Sequence, residues 1–429
     1  MKHTKVWLFL TFLLVGSLLV LAACQPSTPK PQEKPKENKL EIFSWWTAGG
    51  EADGLNALFK IYKEKYPDVE VINAAVAGGA GTNAKAVLKT RMQGGNPPDS
   101  FQVHGGAELI DTWVKPGMME PITFIYKDEG WMDKFPKDLL DMVSYNGDIW
   151  SVPVNVHRGN VLWYNKEIFD KYGLKAPETF DEFFQVAETL KKNGVTPLAL
   201  GDKNKWTAAH LFEDILLGVL GPDGYRGLWN GTTSWEGDGV KQALEILAKM
   251  MDYVNEDHAA YTWDGAVQLV IDGKAAMNVM GDWAAGYFTS KGWKPNEQYG
   301  WAPAPNTKGA FVVVTDTFGL PKGAPHRENA VNWLKVVGSK EGQEAFNPLK
   351  GSICARLDCD RNIFDAYLQS SMDDFASNAL VPSEVHGSAA PEGFATVFND
   401  TINVFITDKD VAAAQKALQQ ACVDNGMCK

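Results

Sequence analysis

The sequence predicts an α/β protein of two domains, and three observations carry that expectation. A β-favouring run, residues 40–43, is followed by a short turn and a helix-spaced apolar pattern; strand, turn and helix then alternate down the chain; and 429 residues exceed what one hydrophobic core holds. In the first unit Leu40, Ile42 and Phe43 precede Ser44, the adjacent Trp45 and Trp46, a Thr-Ala-Gly-Gly turn and Glu51. Leu55, Leu58, Phe59 and Tyr62 then fall at i, i+3, i+4 and i+7, one face of an amphipathic helix. The aromatic pair and the acid therefore sit at the carboxyl end of a strand, where an open α/β sheet forms its ligand crevice. An aromatic plate beside a carboxylate suits a sugar, whose C–H face lies on the ring while the acid accepts its hydroxyls. The plainer alternative is one core Trp, one surface Trp and an acid at a helix start.

Net charge of −12 argues against nucleic acid and against an anionic ligand. Lys2, His3 and Lys5 precede an uncharged run, residues 6–23, that ends in Leu-Ala-Ala-Cys. That is a secretory signal, or an uncut membrane span. Leu-Ala-Ala-Cys resembles the bacterial lipobox, which implies lipidation of Cys24 and a signal over residues 1–24. Residues 25–38 carry no apolar side chain except proline and cannot fold alone, so they read as an extended tether of roughly 40 Å. Cys354, Cys359, Cys422 and Cys428 read as two disulfides with three connectivities open, a four-thiolate zinc site being the alternative.

Along the body, Tyr66-Pro67 breaks the first helix and residues 69–72 resume as a strand. The glycine cluster at 78–81 lacks the Gly-Lys-Ser/Thr of a phosphate loop. A helix over 83–92 leads to a short buried strand, 99–103, and His104-Gly105-Gly106 opens the next helix; Gln102 and His104, two apart at the strand's end, share one face. The long extended stretch 147–166 has no helix inside it, as expected of a chain crossing between domains. A helical pattern follows over 166–172, and Thr179 with Glu182 forms a capping box for the next helix.

The segment 150–199, with its Val-Pro strand, Trp-Tyr-Asn-Lys, Pro-x-Thr-Phe-Asp-Glu-Phe and Gly-x-x-Pro-Leu, resembles extracellular solute-binding proteins (family 1) of ABC sugar importers. Segments 270–283 (VIDGKAAMNVMGDW), 316–322 (DTFGLPK) and 330–351 agree in order. Within that family the chain is most similar to glucose- or mannose-binding lipoproteins. The resemblance implies a two-lobed periplasmic-binding-protein-like fold (type II), its lobes joined by hinge crossings and its ligand in the interlobe cleft. The implied lobes are 39–153 with 315–350, and 154–314 with 351–429, crossing near 152–161, 312–316 and 349–353. It further implies a sugar site built from Trp45, Trp46, Glu51, Gln102, His104, His157, Arg158, Trp263, Trp283, Asp316, Lys350 and His386. Trp206, Trp229 and Trp235 are read as packing, and one of Trp263 and Trp283 as core.

The implied activity is capture of glucose or a related monosaccharide without a cofactor or metal. The partners would be the sugar and ABC permease subunits, and the body a monomer lipid-anchored outside the cytoplasm. A disaccharide or other polyol, a chemosensor role, and a glycoside hydrolase using Glu51, Asp282 and Asp316 are the alternatives. Trp46→Ala and His386→Ala are each expected to weaken binding about tenfold or more, with the fold intact.

Overall fold

The computed structural model describes residues 38–78 and 81–428. The signal, Cys24 and all of the tether except Asn38 lie outside them. Asn38 already belongs to the body, since its carbonyl accepts the Glu70 N–H at 2.9 Å and its side chain donates to the Asp68 carbonyl. Among the described residues no helix is long and apolar enough to cross a membrane.

The first strand, Lys39–Phe43, lies between Glu70–Asn73 and Ser100–His104, parallel to both. Asp316–Gly319 and Ser151–Pro153 complete a five-stranded sheet, with Asp316–Gly319 antiparallel to each of its neighbours. The helix Gly49–Lys65 buries the face its apolar spacing predicted, Leu55, Leu58, Phe59 and Tyr62. A second lobe is built on two four-stranded sheets. One contains Val161–Asn165, Thr196–Ala199, Ala275–Val279 and Tyr299–Pro303; the other Asn155–Arg158, Ala310–Val314, Ile353–Cys354 and Ala379–Pro382. The 166–172 helix and the Thr179–Glu182 capping box form as the sequence predicts.

The chain leaves the first sheet after Pro153 and enters Asn155–Arg158; it returns from Ala310–Val314 into Asp316–Gly319; and it passes from the helix Lys340–Lys350 into Ile353–Cys354. The second-lobe ends of these three crossings pair side by side, Val314 with His157 and Ile353 with Val156. Their junction is cross-linked: the Val154 N–H donates to the Asp316 carbonyl at 2.9 Å, and the Thr315 hydroxyl to the Asn155 carbonyl at 2.7 Å. Beside it, the loop carrying Gly387 and Ser388 accepts the N–H groups of Glu108 and Ala107, and Ser388 donates to the Gly105 carbonyl. The cysteines pair locally, Cys354 with Cys359 and Cys422 with Cys428, which leaves no four-thiolate set.

Candidate functional site

A cavity of about 200 Å³ opens between the lobes against the crossings. Ten of the twelve residues expected at a site line it: Trp45, Trp46, Glu51, His104, His157, Trp263, Trp283, Asp316, Lys350 and His386. Strand ends explain the convergence. Trp45 and Trp46 follow Lys39–Phe43, His104 ends Ser100–His104, and Asp316 opens the strand antiparallel to it, directly opposite His104.

Asp316 is the centre. Its Oδ1 accepts from Gln102 Nε2 at 2.7 Å and its Oδ2 from Asn155 Nδ2 at 2.8 Å. Neither amide can turn over, because Gln102 Oε1 accepts the Trp45 N–H and Asn155 Oδ1 accepts the Asp316 N–H. The carboxylate is therefore met by two fixed donors, and it has lone pairs left for further donors from the cavity. His104 Nε2 and His157 Nε2 stand 3.7 Å from its two oxygens, one on each side.

The histidines are held from behind. His104 Nδ1 lies 2.9 Å from Glu108 Oε2, which also accepts from Lys85 Nζ at 2.7 Å. Burial would raise the Glu108 carboxyl, but Lys85 and His104 outweigh it and hold it near 2, so Glu108 is ionised and His104 Nδ1 carries the proton. His157 Nδ1 meets Asp282, whose other oxygen accepts the Arg158 N–H and the Tyr367 hydroxyl. His157 is 1 % exposed and its Nε2 has no protein partner. Burial first, then Lys350 and the neighbouring histidines, push its imidazole well below the usual range, so it is neutral at pH 7. His386 is likewise depressed, by burial and then by His210, His104, Lys85 and Lys350.

Lys350 is the cavity's cation. It is 2 % exposed, donates to Glu51 Oε1 at 3.1 Å, and stands 5.6 Å over the Trp46 ring. It ends the helix Lys340–Lys350, where the helix dipole favours a positive charge. Gly351 caps that helix at φ 79°, and a Cβ there would meet the Gly286 nitrogen at 2.3 Å. Glu51 keeps 22 % side-chain exposure; burial raises its carboxyl while Lys350 opposes the rise.

Two expected residues do not line the cavity. Gln102 sits behind Asp316 as its anchor. Arg158 follows His157 in a strand and so points the other way, to Asp374, Asn160 and the Ala310 carbonyl. Trp206 is buried in the core as expected but also lines the cavity, 5.7 Å from the His386 ring; of Trp263 and Trp283, which both line it, Trp283 is the core residue. Trp229 and Trp235 do pack together in the second lobe's core. Trp46 is 1 % exposed and wedged against Phe318 and Phe346, so it is core as well as lining, and its truncation will not leave stability untouched. Asn204, Thr262, Asp264 and Tyr287 are among the other lining residues the sequence missed. Trp206 was open to the same rule as Trp45, lying just past the strand Thr196–Ala199 at a helix start; Tyr287, inside the helix Trp283–Ser290, carries no such signal.

Residues 43–344 match the bacterial extracellular solute-binding protein family. The chain belongs to that family. As a solute-binding protein it captures a ligand and is not an enzyme, which removes the hydrolase alternative. This solute-binding protein is 45 % identical over 417 residues to an ABC transporter extracellular-binding protein of Pyrococcus horikoshii, covering 94 % of this chain and 93 % of that one. It is 33 % identical over 381 residues to a probable sugar-binding periplasmic protein of Brucella suis, covering 87 % and 89 %. Among solved structures, the bacterial solute receptor AcbH superposes with a TM-score of 0.80 at 18 % identity, over 90 % of this chain and 99 % of that one, which establishes the two-lobed fold.

Proposed function

We propose that the protein is the sugar receptor of an ABC importer and that its ligand is a single neutral hexose of the glucose type. The observation that carries the reading is the cavity itself. Its rings, Trp45, Trp206, Trp263 and Trp283, offer faces for a pyranose, and Asp316, Glu51, Lys350 and the histidine Nε2 atoms offer acceptors and one cation for its hydroxyls. The cavity, about 200 Å³, has room for a sugar ring among these side chains. The Brucella relative's name supports the sugar class. A hexose offers about a dozen heavy atoms, so micromolar binding near −8 kcal/mol asks about −0.7 kcal/mol per atom, inside the ceiling for small ligands.

In this reading Glu51, Asp316, Lys350, His104, His157 and His386 grip hydroxyls, the tryptophans stack, and Gln102 acts through Asp316. The lobes are 39–153 with 315–350, and 154–314 with 351–429; the paired crossings support those limits. The lobes close because contacts drawn from both favour the shut state. The receptor is a monomer tethered through lipidated Cys24 and delivers its sugar to permease subunits.

Calorimetry of residues 38–429 against glucose, galactose, mannose, xylose and disaccharides tests the ligand, with X-ray scattering testing closure. A hexose should give micromolar binding and a smaller radius of gyration. No heat with any hexose, or tightest binding to a disaccharide, would refute it.

A further inference from the structure

We propose that Glu213 and Ser383 are positioning residues for the ligand site: together they lock His386 in the tautomer that presents a bare Nε2 lone pair to the cavity. The binding consequence rests on the sugar reading above; the tautomer does not.

The argument is a count of protons along a buried chain. Ser383 Oγ lies 3.2 Å from Glu213 Oε2 and 2.9 Å from His386 Nδ1, and the His386 backbone N–H points to the same Oγ at 3.3 Å. Glu213 Oε2 also accepts the Val385 N–H at 3.0 Å, so that oxygen is an acceptor. Ser383 has one proton, and it goes to Glu213. The hydroxyl oxygen is then an acceptor toward His386, so Nδ1 carries the imidazole proton and Nε2 is left with its lone pair. Glu213 and Ser383 are fully buried, so no water competes for these partners.

The far end of the chain agrees. The Tyr225 hydroxyl stands 3.0 Å from the Pro382 carbonyl and 3.1 Å from Glu213 Oε1. A carbonyl only accepts, so Tyr225 donates to it, and the contact with Oε1 is closed by a proton on Glu213. Burial raises that carboxyl to about 7, so this proton is held below pH 7 and shared about evenly at pH 7. His210, Glu213 and His386 do lie close enough to hold a cation, their ligand atoms within 4.8 Å. However, both Glu213 oxygens are already engaged by Ser383, Val385 and Tyr225, which makes the set a hydrogen-bond relay.

A buried acid behind Nδ1 recurs around the cavity. Glu108 holds His104 and Asp282 holds His157, each through Nδ1. His104 and His157 thus keep Nε2 on the side of Asp316, 3.7 Å from its oxygens.

The test uses ¹⁵N-labelled residues 38–429 without sugar, reading the His386 ring nitrogens by long-range ¹H–¹⁵N correlation. Wild type should show a protonated Nδ1 and a bare Nε2. Ser383→Ala and Glu213→Leu should lose that signature. Ser383→Thr keeps the hydroxyl, and Glu213→Gln imitates a neutral acid that donates to Tyr225 and accepts from Ser383, so both should retain it. With glucose, Ser383→Ala should bind about tenfold more weakly and Ser383→Thr within about threefold of wild type. A wild-type His386 protonated on Nε2 overturns the proposal, as does a Ser383→Ala variant that loses the signature yet binds with unchanged affinity. If the signature is as expected but wild type binds no hexose, the sugar reading fails and the positioning of His386 stands.

Discussion

Asp316→Asn is the sharpest perturbation of the site, because its cost follows from donors that cannot move. The wild-type carboxylate accepts Gln102 Nε2 at 2.7 Å and Asn155 Nδ2 at 2.8 Å. An asparagine keeps the shape but must turn its NH₂ against one of them. Neither neighbour can flip in response without breaking its own bond to the backbone N–H of Trp45 or of residue 316. One buried donor is then unmatched, which costs about 1–3 kcal/mol of stability. The site also loses a charged acceptor, and a hydrogen bond to a charged group contributes about 1.5–3 kcal/mol, so glucose affinity should fall by about 10- to 150-fold. Calorimetry at pH 7 reads the affinity and urea unfolding the stability. Affinity within threefold of wild type would refute the placement of Asp316 at the ligand, whatever the stability shows.

Lys350→Met removes the cation between Glu51 and Trp46 and should weaken hexose binding by about 10- to 100-fold in the same titration. Gly281→Ala places a Cβ 2.2 Å from the Trp283 ring, which must move; binding should drop about fivefold or more while far-ultraviolet circular dichroism stays that of wild type. Trp46→Ala should cost about 3–5 kcal/mol of stability in urea unfolding, since the ring is packed on Phe318 and Phe346. Glu213, raised from 4.5 to about 7 in the folded state, stabilises fully below pH 4.5 and loses that contribution as pH rises through 7. Glu213→Gln should therefore gain on wild type by about 3 kcal/mol between pH 4.5 and 7.5; parallel stability curves would show that Glu213 does not titrate there.

The parts of the fold that local chemistry dictates were legible from the chain. Helix spacing at Leu55, Leu58, Phe59 and Tyr62 and the capping box at Thr179 and Glu182 are patterns within one element, and both appear as read. The crossing at residues 153–155 shows as an extended run without an intervening helix and the family likeness placed the one at 314–316; that their strands pair is seen in the structure alone. Side-chain direction was harder. Arg158 looked like a site residue beside His157, and only the strand's alternation turns it to Asp374. Gln102 faces the right way but is screened by Asp316, a partner 214 positions distant in the chain. The relay behind His386 was beyond sequence, because Glu213 lies in the middle of an apolar helix and nothing local marks it as a partner of Ser383.

The place where Asp316 sits has a mechanical consequence. It is cross-bonded to Val154 and Asn155 at the junction of the strands that join the two halves, so it lies at the axle of any opening, and a rigid rotation displaces it least. A sugar held there is reachable before the jaws move and gains little from their moving. In the proposed closure the work of shutting falls to other lining groups, Trp45 and Glu51 from the first lobe and Trp206 and Trp263 from the second. On the proposed reading grip and snap are divided between different residues, and a change at those outer groups should slow release while the first capture of sugar proceeds as before.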